Sequence, residues 1–164
     1  MLCWLRPRVG VVLAGAVLFL ACSSTEERKD LVNPEQTSFP AQYKAWKKLN
    51  AAPIVLDQER ESRDLYANEV ALQRAPGAPF PRGSVLVKEQ RVLSADPSGR
   101  LKPGELMRIS VMFKVGGGQT SGWAWRAFDP QTHDEIPRDR IDPDGCYYCR
   151  ADAAARDYVY SDVK

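Results

Sequence analysis

The chain has 164 residues, with 23 Lys and Arg against 21 Asp and Glu, a formal charge of +2 and a single histidine. Two of the basic residues, Arg6 and Arg8, fall in a predicted leader that holds no acid, so the remainder carries 21 charges of each sign and offers no electrostatic basis for binding nucleic acid or anionic lipid. Beyond that leader about 140 residues remain, enough for one domain with its own core.

Residues 1–21 read as a signal peptide. Arg6 and Arg8 form a short positive start, and the apolar run from Val9 to Ala21 is short for a membrane span. The run ends at Ala21-Cys22-Ser23-Ser24, which is similar to the lipobox of bacterial lipoproteins, although Phe19 and Leu20 depart from its commonest letters. Lipidation at Cys22 is therefore expected, and each buried acyl methylene would add about 0.8 kcal/mol to membrane attachment. The alternative is cleavage nearby, with Cys22 left as a free thiol. Either outcome exports the protein; lipidation would hold it on the periplasmic side of a bacterial membrane. Residues 22–36 are polar and without apolar period, the composition of a flexible tether.

The domain is expected over residues 37–164. Phe39, Tyr43 and Trp46 fall at helical spacing behind Pro40, which predicts an amphipathic helix to about Asn50. Residues 63–67 read as a strand, and Asn68 as the N-cap of a helix to Arg74, with Glu69 in its first turn. The prolines and glycines of 76–83 forbid regular structure. Residues 85–93 form the next predicted strand, and Asp96-Pro97-Ser98-Gly99 a turn. Alternation then predicts a strand over 106–115, with Ile109, Val111, Phe113 and Val115 on one face. A glycine-rich loop leads to a strand over 123–128 that places Trp123 and Trp125 together. Residues 129–145 read as irregular, 146–156 as a short alanine-rich helix and 158–163 as a last strand. This order predicts an α+β domain: a mainly antiparallel sheet with an N-terminal helix and short helices.

The chemistry concentrates in Cys146-Tyr147-Tyr148-Cys149-Arg150. The spacing is that of c-type haem attachment, C-x-x-C-H, with arginine where the iron-binding histidine belongs. A guanidinium stays protonated and has no lone pair for a metal. Three readings remain open for the two thiols in an oxidising compartment: a local disulfide, haem attachment, or thiol–disulfide exchange. His133 could in principle replace the missing ligand, yet it stands among Gln131, Thr132, Asp134 and Glu135, the setting of a solvated side chain. The glycines 116–118 have no following Lys-Ser/Thr and read as a hairpin loop rather than a phosphate cradle. The acids between 129 and 144 do not have EF-hand spacing and alternate with Arg138 and Arg140, so no metal site is expected there. One histidine leaves little room for a hydrolase triad.

Several segments together resemble the cytochrome P-460 family: Asp64-Leu65-Tyr66-Ala67-Asn68, Phe80-Pro81-Arg82-Gly83-Ser84, Val85-Leu86-Val87-Lys88-Glu89, Trp123-Ala124-Trp125, and the C-x-x-C followed by Asp157-Tyr158-Val159-Tyr160. The resemblance covers residues 38–163. It implies an exported, mainly antiparallel β domain with one c-type haem, related to the β-type cytochromes c prime. Members with a lysine bonded to the porphyrin oxidise hydroxylamine, and relatives without that bond bind small gases. By the same resemblance Lys88 matches the crosslinking lysine, Cys146 and Cys149 the thioether cysteines, and Arg150 the axial histidine. Without the crosslink's partner, a lysine followed by glutamate at the end of an apolar strand reads as a snorkelling edge residue. The leading functional reading is a degenerate, haem-less binding or structural module without a cofactor, anchored to the membrane through Cys22, its ligand or protein partner named by no motif. The alternatives are a haem c protein acting on small gases or hydroxylamine-like compounds, and a C-x-x-C thiol–disulfide protein.

Overall fold

The computed structural model of the protein describes residues 37–58, 60–116, 122–140 and 152–159. Among these, six strands form one sheet: β1 (Lys47–Lys48), β2 (Ile54–Leu56), β3 (Glu61–Ala67), β4 (Val85–Ala95), β5 (Leu101–Lys114) and β6 (Trp123–Phe128). Their order is β1-β3-β4-β5-β6, with β2 pairing β3 beside β1, and every pairing is antiparallel. The four long strands are those that alternation predicts. Asp96 to Gly99 is the expected turn, closed by the Gly99 N–H donating to the Asp96 carbonyl at 2.8 Å, and it joins β4 to β5.

The sheet buries both faces, each against a different apolar cluster. On one face Val87, Ile109, Val111, Phe113, Ala124 and Phe128 pack with Tyr43 and Tyr66, and Phe39 and Trp46 close over them. On the other, Ala67, Leu86, Met112 and Trp123 pack with Ala71, Phe80 and Val159. The single short helix α1 (Glu69–Leu72) belongs to this second face. Asn68 caps it as expected, its Oδ1 accepting from Ala71 N at 3.0 Å. The same oxygen accepts from Val85 N at 3.0 Å, and Nδ2 donates to the Gly83 carbonyl at 2.9 Å. One amide thus starts the helix and ties the end of β3 to the start of β4.

The α content is smaller than the sequence predicts, so the mainly antiparallel β description holds while the N-terminal helix does not. The aromatic stripe of Phe39, Tyr43 and Trp46 does pack on one side, but as a single 3-10 turn over Tyr43–Ala45. Trp46 is already extended (φ −78°, ψ 166°), because Lys47 and Lys48 must pair with Ala67 and Tyr66 to cover the edge of β3. Helix α1 stops at Leu72, short of Arg74, ahead of the Ala75-Pro76 step that disfavours helix. Of the predicted helix over 146–156, the described part is a 3-10 turn, Ala154–Arg156, ended by a left-handed Asp157. Tyr158 is left-handed too (φ 63°), so no strand starts there; residues 160–163 lie outside the described residues. Among the described residues no helix is long and apolar enough to cross a membrane. Replacement of Asn68 by Ala should destabilise the domain by about 2 kcal/mol, the upper range for a lost helix cap, because the second acceptor role at Val85 is lost with it. A parallel shift of the urea unfolding midpoint measures this; an unchanged midpoint would contradict the double role.

Candidate functional site

The candidate site is built on β4, the strand with β3 on one side and β5 on the other. Lys88 pairs with Leu65 across one flank and Ser110 across the other, so it is a central-strand residue and not the edge lysine that its Lys-Glu context suggests. Alternation puts it on the face of Leu86 and Met112, and the sheet face changes character at this point. On one side of Lys88 lies the apolar cluster of Leu86, Met112 and Trp123. On the other lies a buried polar network. Gln90 Nε2 donates to Glu61 Oε2 at 3.1 Å, while Gln90 Oε1 accepts from Arg108 Nε at 3.1 Å and Ser110 Oγ at 2.8 Å. Arg63 pairs with Glu61 in turn. An ammonium group is thus presented where an apolar half-sheet meets a polar one.

The apolar half is where residues 153–159 dock. Val159 enters the cluster, the Trp123 indole N–H donates to the Asp157 carbonyl at 2.9 Å, and both Asp157 carboxylate oxygens accept from Lys114 Nζ at 2.8 Å. Asp157 Oδ2 also accepts from Phe80 N at 2.7 Å. A buried lysine and a buried aspartate therefore satisfy each other, with Lys114 Nζ 5.0 Å from the Trp123 ring centre. Beside this pair opens a cleft of about 280 Å³ whose walls include Arg74, Pro79, Ala154 and Ala155.

The next residue along β4, Glu89, points to the opposite face and is 1% exposed. Its carboxylate accepts from Tyr43 Oη at 2.6 Å, from the Lys44 ammonium, and from Arg91 Nη2 at 3.2 Å. Burial pushes the Glu89 carboxyl up, but the hydrogen bonds from Lys44 and Tyr43, the Lys44 charge and the Arg91 bond together outweigh it, so Glu89 lies below its ordinary value. Burial first, and then the bond to Glu89 and its charge, push the Tyr43 hydroxyl far up. Tyr43 meets Tyr66 edge to face at 5.4 Å, and Lys44 lies over both rings.

The structure does not bring all the predicted residues together. His133 is exposed and stacks on Phe39 with ring centres 4.1 Å apart, and Phe39 packs on Phe128, on the face away from Lys88. Cys22, Cys146, Cys149 and Arg150 lie outside the described residues. Among the described residues no group of three or more His, Cys, Asp or Glu side chains is placed to hold a metal. Sequence reasoning missed the Glu89 cluster and the Lys114–Asp157 pair. Glu89 was visible as the last letter of the Val-Leu-Val-Lys-Glu strand, but its partners Tyr43 and Lys44 lie about 45 residues away, and no local signal joins them.

A family model described as Cytochrome P460 matches residues 40–161, most of the chain. No curated protein matches the sequence. Haem c is the group such a family implies, and the donor set here does not fit an iron held through histidine. The chain's single histidine is engaged on the far face, and position 150 holds arginine.

The Glu89 cluster sets an acid dependence. Because the folded-state value lies below the ordinary 4.5, the stabilisation is present above that pH and is lost as pH falls through the folded value. Glu89→Gln should cost about 2 kcal/mol at neutral pH, the scale of lost charge-assisted hydrogen bonds when the remaining cations Lys44 and Arg91 can still reach water, and should flatten the acid limb of a stability–pH profile. Chemical denaturation of both proteins between neutral and acid pH checks it; parallel profiles would exclude Glu89 as the titrating group.

Proposed function

This chain belongs to the cytochrome P460 family, and we propose that it is a haem-less member: an exported, lipid-anchored domain that works by binding rather than by iron chemistry. The observation that carries this is the position of His133, stacked on Phe39 across the sheet from Lys88, together with Arg150 at the axial place. No imidazole is left on the side where the family's crosslinking lysine stands. Cys146 and Cys149 then form a local disulfide, the outcome an oxidising compartment favours for two thiols so closely spaced. Lys88, at the family's crosslinking position, then stands on this face as an ordinary side chain between the apolar cluster and the Gln90 network. Export and anchoring rest on the leader and on Cys22; Cys22→Ala should release the protein into the soluble periplasmic fraction.

Co-expression with c-type haem maturation genes tests the haem-less reading. The expected product is colourless, has the mass of the processed chain without haem, and shows no reactive thiol at Cys146 or Cys149. A Soret band with a mass gain of one haem would overturn the reading. Arg150→His is the informative companion: recovery of haem in that variant alone identifies the arginine as the cause of its loss.

A further inference from the structure

We propose that the cleft beside the Lys114–Asp157 pair is a binding site for a small organic carboxylate, held by the guanidinium of Arg74. Three charged side chains line the cleft, and two of them cancel. Lys114 Nζ and the Asp157 carboxylate are both nine-tenths buried and bonded to each other at 2.8 Å, and the Phe80 N–H takes a further share of Asp157. Arg74 is left as the net positive charge. Its Nε donates to the Ala78 carbonyl at 2.6 Å, and its plane is set by the Phe80 ring, 4.3 Å away. Its two terminal nitrogens have no partner among the described residues. A guanidinium anchored through Nε and stacked on a ring presents the remaining fork in the geometry that matches a carboxylate.

The rest of the wall decides the body of the ligand. Pro79, Ala154 and Ala155 are small and apolar, so they favour a compact apolar group over a second charge. The volume of about 280 Å³ falls just under the usual range for drug-sized ligands, which limits the occupant to a small molecule. The wall itself is held in an unusual backbone. Asp157 and Tyr158 are both left-handed, at φ 56° and 63°, a conformation that non-glycine residues seldom adopt. The bond from the Trp123 indole to the Asp157 carbonyl holds that shape while the carboxylate stays on Lys114.

Benzoate and its neutral isostere benzamide, titrated into the mature protein by calorimetry at low salt, provide the test. Benzoate should bind at least about tenfold more tightly than benzamide, the effect of one charge-assisted contact. Arg74→Ala should remove benzoate binding, Arg74→Lys should weaken it because the charge remains without the fork, and Gln73→Ala, at an exposed neighbour, should leave it unchanged. The assignment is overturned if benzoate does not bind at millimolar concentration or if benzamide binds equally well. It is overturned too if Arg74→Ala keeps full affinity with an unaltered melting temperature, or if inorganic phosphate binds as tightly as benzoate. The inference supplies a ligand class for the binding module proposed above and rests on that reading, but the two fail separately. A haem-loaded protein sinks the module and leaves benzoate binding measurable; a colourless protein that ignores benzoate sinks the carboxylate site alone.

Discussion

The carboxylate of Glu89, buried in the central strand and held by Tyr43, Lys44 and Arg91, is the interaction on which the rest of this structure depends. A buried carboxylate is costly unless its hydrogen bonds are filled, so it forces three donors to converge. Two of them come from the segment before β1, and this is why that segment folds over the sheet at all. The aromatic residues Phe39 and Trp46 follow Tyr43 down and seal the first cluster. The same carboxylate fixes the register of β4. A slip of one residue would send Glu89 into the cluster of Leu86 and Met112 and would drive Lys88 among Val87 and Val111. Lys88 is therefore presented on its face because Glu89 is clamped on the other.

The two faces divide the work between the ends of the domain. The N-terminal segment closes one face through Tyr43 and Lys44, and residues 153–159 close the other through Asp157 and Val159. Each closure combines an apolar plug with an ion pair, buried on both sides at Lys114–Asp157 and reaching solvent through Lys44 at Glu89. The plug supplies non-directional stabilisation from apolar area, whereas the ion pair supplies position, since its bonds are satisfied in one arrangement only. The first described residues, with Phe39, thus pack on the face opposite to Lys88, and the cysteine pair lies in sequence just before the segment that docks on the Lys88 face.

Period-two patterning made most of the sheet legible from sequence, because the strands with a buried face carry it in their side chains: Ile109, Val111 and Phe113 announce theirs directly. Asn68 was legible for the same local reason, a capping residue followed by an acid. The aromatic stripe misled because 3.6-residue spacing over Phe39, Tyr43 and Trp46 also describes one tight turn leading into an extended chain. What decides between them is the open edge of β3, 20 residues farther on, which claims Lys47 and Lys48. Lys88 was misread as an edge residue since neither neighbour of β4 is visible from β4 itself. Glu89, Lys114 and Asp157 escaped for a related reason: a charged residue looks solvated until its distant partner is known. Long-range polar pairing leaves no periodic trace.

The haem-less proposal asks that the scaffold hold together through its own side chains. Where a metal supplies folding free energy outright, loss of a ligand unfolds the domain. Here two apolar clusters, the Glu89 clamp and the Lys114–Asp157 pair join side chains of the described residues directly to one another. In the haem-less reading proposed above, arginine at position 150 takes the place of the iron ligand that the family resemblance implies. The Arg74 guanidinium, fixed by the Ala78 carbonyl and the Phe80 ring at the wall of the cleft, is held by the same kind of direct protein contact, so the anion site proposed for it requires nothing of a porphyrin.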